Sequence, residues 1–240
     1  MNDTASNERT IRTRARRNIT FLVLFSIVMI FASLLSAYVV SKGGSDYWVH
    51  IRIPRAFYWS TGIILLSSLF VQLALMAVRK GRAKAAPAWL VLGFGLGIAF
   101  TASQYKGWEQ LHEQGHLLSF SNVMQPKGAY GVDFTVEHKH QILVKVDSLY
   151  FMPDDVAHAH PLNAEMAEYV NGASQYFYVL TAAHVAHVAF GLLALLITTV
   201  MAVRGRYTAG DHVGLWAGAL YWHFLAGLWV VLLSFLVFVH

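Results

Sequence analysis

Three histidines stand inside long apolar stretches: His184 and His187, one helical turn apart in YFYVLTAAHVAHVAFG (176–191), and His223 in the segment YWHF (221–224). An imidazole at membrane depth is costly, so it turns inward to a partner, a cavity or a cofactor. Three chemistries suit this pattern. The histidines can hydrogen-bond between helices and fix their register, ligate a b-type heme or a metal ion, or relay protons. Gln104, Trp108 and Glu109 at the polar end of another apolar run, and Tyr221 and Trp222 beside His223, complete the set of polar and aromatic candidates.

The elements that must position these residues follow from composition. The chain has 240 residues, of which 56% are hydrophobic and 13% charged, too apolar for an ordinary soluble domain of that length. There are five apolar runs, at about 19–40, 57–78, 88–111, 174–203 and 213–239. Each is long enough for a transmembrane helix, and the first exceeds the ~7–15 residues of a cleavable signal core. The fold class is therefore all-α: a five-transmembrane-helix bundle formed as one membrane domain over 1–240. Gly93/Gly97 and Gly214/Gly218 have the spacing that lets helices approach closely.

The net charge of +5 reflects short basic clusters beside apolar runs, which excludes a nucleic-acid surface and marks orientation instead. Arg9, Arg12, Arg14, Arg16 and Arg17, then Arg79, Lys80, Arg82 and Lys84, then Arg204 and Arg206 fall on one side, eleven of the eighteen basic residues. That side is inside, which places the N-terminus inside and the C-terminus outside. The absence of cysteine removes disulfides, thiolate metal sites and cysteine nucleophiles.

At about 1.5 Å per residue, the arithmetic puts His187 about 20 Å and His223 about 24 Å from the outer surface, with His184 at about 15 Å and Gln104 at about 12 Å. His187 is then expected to meet His223, and His184 to meet Gln104, giving a polar seam through the third, fourth and fifth runs. Interhelical hydrogen bonding, at roughly 0.6 kcal/mol per bond, is the reading adopted, with heme or metal ligation and a proton relay as the alternatives. Glu109 reads as a solvated charge at a helix end. No nucleophile, base and orienting group assemble, and no phosphate-binding loop is present.

Residues 113–172 are different: polar, acidic and punctuated by Gly and Pro, an extramembrane insertion between the third and fourth helices. VDFTV (132–136) and QILVKV (141–146) alternate around a short turn and predict a β-hairpin, too small to stand alone and so expected to pack on a neighbour. His138/His140 and His158/His160 have the i, i+2 spacing that puts side chains on one side of a strand, where they read as a polar surface, with copper or zinc binding the alternative.

YVLTAAHVAHVAFG (Tyr178–Gly191) and YWHFLAGLWVVLLSF (Tyr221–Phe235) resemble the last two helices of subunit III of heme-copper terminal oxidases. LGFGLGIAFTASQYKGWEQL (Leu92–Leu111) is similar to the helix preceding them, and ILLSSLF (Ile64–Phe70) to the second helix of the five-helix bacterial form. Two departures stand out. Ser26-Ile27 occupies the place where the family has Ser followed by a membrane-embedded Glu, so the role of that carboxylate does not carry over. The 113–172 connection is long where five-helix members have a short one.

The resemblance implies an accessory, non-redox subunit of a proton-pumping cytochrome c oxidase of aerobic respiration, in a bacterial plasma (inner) membrane. Such a chain takes part in an oxidoreductase and electron transport chain without a catalytic centre of its own. It implies heme and copper in partner subunits, none in this chain. Subunit I is the main contact; subunit II, and another respiratory complex, are candidate partners for 113–172. Bound phospholipid is expected, with Arg79, Lys80 and Arg204 as headgroup contacts, and support of proton uptake and complex stability as the role. The alternatives are the corresponding subunit of a quinol oxidase or nitric oxide reductase and, in another class, a stand-alone b-type cytochrome or metal-binding membrane protein. A small transporter is disfavoured by the lack of inverted repeats and broken helices.

Overall fold

The computed structural model describes residues 2–116, 122–124 and 126–240, with side chains from residue 11 onward. Five long helices dominate: α1 (Asn2–Gly43), α2 (Arg55–Arg79), α3 (Ala86–Glu113), α5 (Gly172–Val203) and α6 (Val213–Phe238). A strand β1 (Tyr47–Ile51) lies between α1 and α2, and a 3-10 turn (Ala83–Ala85) precedes α3. Between α3 and α5 come β2 (Phe134–His138), β3 (Gln141–Ile142), β4 (Val144–Val146), β5 (Leu149–Phe151) and a single helical turn α4 (Asn163–Met166). All five long helices are long and apolar enough to cross a membrane.

Their ends are encoded locally. α2, α3 and α5 each stop at a glycine with left-handed φ, Gly81, Gly115 and Gly205. At each, the next amide reaches back to close the last turn: Arg82 to the Ala77 carbonyl, His116 to Leu111, and Arg206 to Met201. This pairing satisfies carbonyls that the helix itself cannot bond.

The chain divides into two compact units. One comprises residues 1–32, 58–103 and 183–231, and the other residues 33–57, 104–182 and 232–240. Among its described residues the first unit is helical apart from the turns that join its helices. Its centre is the Trp222 ring, which lies against two glycines: a Cβ on Gly97 would come within 2.8 Å of it and one on Gly191 within 3.0 Å. Gly93 gives the same close approach to Val71 on α2, so both residues of the 93/97 pair serve the spacing read from the sequence. Phe100 and Trp229 meet edge-to-face at 5.5 Å beside it. At the start of α6, Trp216 packs edge-on to Phe21 and carries the Arg17 guanidinium 5.0 Å above its ring.

The second unit holds the strands. β1, β2 and β3 form an antiparallel sheet in that order, with Val49 opposite Val136 and His138 opposite Gln141. Phe134, Val136 and His138 face inward and alternate with half-exposed Thr135 and Glu137, the period-2 pattern of a sheet covered on one side. β4 and β5 make a separate hairpin, Val144 opposite Phe151. The Tyr130 hydroxyl donates to the Leu143 carbonyl at 2.6 Å, at the chain's break between β3 and β4.

Several expectations change here. The hairpin exists, but QILVKV is two strands divided at Leu143, and the neighbour that supports β2 is β1, from a stretch read as loop. Period-2 alternation cannot show which distant strand supplies the pairing. The first helix starts at Asn2 instead of near 19, because the polar arginine-rich segment continues the helical backbone. The side chain of Arg9 lies outside the described residues.

Candidate functional site

In the first unit the polar side chains of α2, α5 and α6 converge. The Trp222 indole N–H donates to the Ser67 hydroxyl at 3.0 Å, and that hydroxyl donates to the Gly93 carbonyl at 2.6 Å. One serine thereby ties α6 through α2 to α3. The next residue repeats the link: His223 bonds the Ser68 hydroxyl through Nδ1 at 2.5 Å and the Gln72 side-chain oxygen through Nε2 at 3.0 Å. An amide oxygen only accepts, so His223 Nε2 carries the proton and Nδ1 accepts from Ser68. The Tyr221 hydroxyl donates to the main-chain oxygen of His187 at 3.2 Å, and the Trp229 indole donates to Thr61 at 2.9 Å.

His184 is fully buried and donates from Nε2 to the Leu225 carbonyl at 3.0 Å, with its ring against Phe100 and Trp229. His187 donates from Nδ1 to the Ala183 carbonyl one turn earlier, at 2.7 Å, and packs edge-on to Phe31. The expected His187–His223 pair does not form, since both His223 nitrogens are committed to α2. Depth arithmetic ranked partners by height alone and gave no account of rotation about the axis, so it missed Ser67, Ser68 and Gln72. Their i, i+1, i+5 spacing on α2 was the signal available.

Ser26, Ile27, His187, Phe190 and Tyr221 line one open cavity of about 550 Å³. The Ser26 hydroxyl turns back to the Leu22 carbonyl and Ile27 is buried, so no carboxylate of α1 enters this cavity.

Of the remaining candidates, Gln104, Trp108 and Glu109 belong to the second unit, and Arg79, Lys80 and Arg204 to the first. Gln104 is fully buried, and the Trp108 indole donates to the Thr181 hydroxyl at 3.0 Å, which ties α3 to α5. A Cβ on Gly107 would strike the Phe57 ring at 2.7 Å, a further close approach. Glu109 is exposed beside Tyr105, His112 and Tyr178. Arg79, Lys80 and Arg204 are all exposed at helix ends.

The histidine pairs separate. β2 ends at His138, whose ring stacks on Tyr47 at 4.2 Å and bonds the Asp46 carbonyl; Lys139 and His140 form the turn, so 138 and 140 do not share a strand face. His158 packs on Phe151, and His160 lies exposed over Asp155. Among the described residues no three His, Asp or Glu side chains group as a metal site.

A cluster that the sequence did not reveal surrounds His240. Its Nε2 accepts the Ile51 amide proton at 2.8 Å, which leaves the ring proton on Nδ1, 2.5 Å from the Tyr38 hydroxyl. Burial, then the charges of His50 and Lys42, push the His240 pKa down to about 3. His50 bridges the main-chain oxygen of His240 at 2.6 Å and a Glu137 oxygen at 2.5 Å. Burial raises the Glu137 pKa, but the hydrogen bond and charge of His50, then His140, bring it below the usual value. His116, also buried, is pushed down to about 4.

In the first unit these bonds fix helices to one another, and each intramembrane imidazole is held by the protein's own groups. The profile of the family described as "Cytochrome c oxidase subunit III" matches residues 137–240. A "Cytochrome c oxidase subunit 3" of Corynebacterium diphtheriae is 22% identical over 227 residues, 92% of this chain and 86% of that protein. One from Synechocystis is 43% identical over 70 residues, 28% of this chain and 30% of that protein. A "Probable cytochrome c oxidase subunit 3" of Rickettsia conorii is 39% identical over 61 residues, 25% of this chain and 22% of that protein. The stronger identities thus span less than a third of those relatives, and the Corynebacterium match runs nearly end to end. With five apolar helices of spanning length, the chain has the make-up of a multi-pass membrane protein, and it is similar to cytochrome c oxidase subunit III over its C-terminal 104 residues and, at low identity, over nearly its whole length.

Proposed function

We propose that the chain is the accessory, non-redox subunit III of a proton-pumping cytochrome c oxidase in a bacterial plasma membrane. It packs on subunit I, sustains proton uptake and the lifetime of the oxygen-reducing centre, and leaves heme and copper to its partners. The observation that carries this reading is the commitment of His223 to Ser68 and Gln72: the residue best placed for axial ligation serves helix register instead. The orientation is N-terminus inside, supported by the clustering of eleven basic residues on that side. The 113–172 insertion then lies outside, where it meets subunit II or a neighbouring respiratory complex. Bound phospholipid contacts Arg79, Lys80 and Arg204, which are exposed at helix ends.

The test is purification of the chain with its partners from native membranes. A complex containing a heme-copper subunit and consuming oxygen is expected. Removing this chain should leave the heme spectrum in place while shortening the number of turnovers before inactivation. A purified assembly with no heme-copper subunit and no oxygen consumption would refute the reading.

A further inference from the structure

We propose that the first unit holds a site for an apolar molecule bearing a hydroxyl group, a long-chain phenol, quinol or alcohol, in the cavity of about 550 Å³ at Ser26, His187 and Tyr221. Such a site is independent of the respiratory role.

Three polar side chains line this cavity, and each gives its proton to a main-chain oxygen. His187 Nδ1 donates to the Ala183 carbonyl at 2.7 Å, the Ser26 hydroxyl to that of Leu22 at 3.0 Å, and the Tyr221 hydroxyl to the main-chain oxygen of His187 at 3.2 Å. The lining holds no carboxylate, so a charged imidazolium has no anion to face and the His187 ring is neutral. A neutral imidazole has one N–H, which leaves a lone pair on Nε2; Ser26 and Tyr221 likewise keep only oxygen lone pairs to offer. The rest of the lining is apolar, with Ile27, Ile30 and Phe190 as walls. The cavity therefore presents acceptors and no donor.

His187 Nε2 is the atom that calls for a ligand. His223 spends both of its nitrogens on α2, whereas the distal nitrogen of His187 has no hydrogen-bond partner among the described residues. The ring stands at the midpoint of α5, a helix long and apolar enough to span a membrane, at a depth where no bulk water satisfies an open acceptor. With Nδ1 turned back on its own helix and Phe31 edge-on at 5.6 Å, Nε2 is the end of the ring left to the cavity.

The volume suits a small molecule, for which apolar walls around a few fixed polar groups are the usual frame. Hydrogen-bond direction then selects the ligand. A quinone, ether or ester only accepts and finds no donor here; a phenol, quinol or alcohol gives its proton to Nε2.

The test uses the full chain in phosphatidylcholine nanodiscs, whose lipids carry no hydroxyl. Retention of tritiated para-decylphenol is compared with that of its methyl ether, with empty nanodiscs as the partition control. The phenol should be held about tenfold more tightly than the ether, the worth of a hydrogen bond to an otherwise unsatisfied group. His187→Phe, which keeps a ring, should abolish that preference. Ala194→Phe narrows the cavity from its α5 wall with His187 intact and should cut retention of both probes. Decyl hydroquinone and decanol run alongside, and whichever hydroxyl compound is held most tightly identifies the source. Equal retention of phenol and ether, a preference that survives His187→Phe, or no retention above empty nanodiscs would overturn the proposal.

Discussion

Replacing His223 by Phe keeps the ring and removes both hydrogen bonds, to Ser68 and to Gln72. At roughly 0.6 kcal/mol for an interhelical bond in a bilayer, the loss should be about 1 kcal/mol. A double-mutant cycle with Gln72→Leu, read by unfolding in mixed micelles, should return a coupling of about 0.5 kcal/mol; additive effects would refute the pairing. Gly97→Ala acts on shape instead. The added carbon would lie within 2.8 Å of Trp222 and 2.7 Å of Leu192, inside a packed core. The expected cost is about 1–3 kcal/mol, and Gly97→Ala combined with Trp222→Phe should recover part of it. The residue types of this site were readable in the sequence, and so was the closeness that Gly93 and Gly97 permit. The pairing of YWHF with ILLSS was not, because a helix's rotation about its axis is set by tertiary packing and leaves little trace when the apolar surface runs all the way round.

The strands and their anchors belong to the scale of elements, where acid is the informative perturbation. His240 and His116 have native pKa values near 3 and 4, below the ordinary 6.5, because burial disfavours their charged forms. The unfolded chain therefore binds more protons than the native one in the interval between, and stability falls as the pH drops from about 6.5 toward those values. Glu137, also depressed, adds loss in the same direction at lower pH. Protonating His240 at Nε2 also takes away the acceptor of the Ile51 amide. Hydrogen exchange at Ile51 should accelerate with acid relative to that at Leu215 in α6, after correction for intrinsic rates, and uniform protection between pH 7 and 5 would contradict this. The five helices were legible from apolar length, within two residues at most ends except the N-terminus of α1. The sheet was legible by half: Val132–Val136 and Gln141–Val146 alternate, whereas β1 carries only five residues, YWVHI, in a stretch whose Gly and Pro read as loop. Pairing over 80 residues leaves no local sign.

At the scale of the molecule, α1 differs from the other spans. Only 11% of its most apolar window is buried within the chain, against 28–39% for the other four. Ile19, Phe21, Leu22, Phe25 and Met29 all face outward. Such a helix is covered either by lipid or by a partner. Photo-crosslinking from Leu22 or Phe25 in native membranes should capture an oxidase subunit if the proposed assembly is right; capture of lipid alone would move the partner interface to another helix.

Translation delivers α2 and α3 well before α6, so Ser67 and Gly97 enter the bilayer while the tryptophan that meets them is still unsynthesised. Through that interval, Ser68 and Gln72 also wait for His223. The nascent bundle is incomplete until its last span inserts, and a ribosome stalled before residue 222 would leave Ser67, Ser68 and Gln72 without their α6 partners.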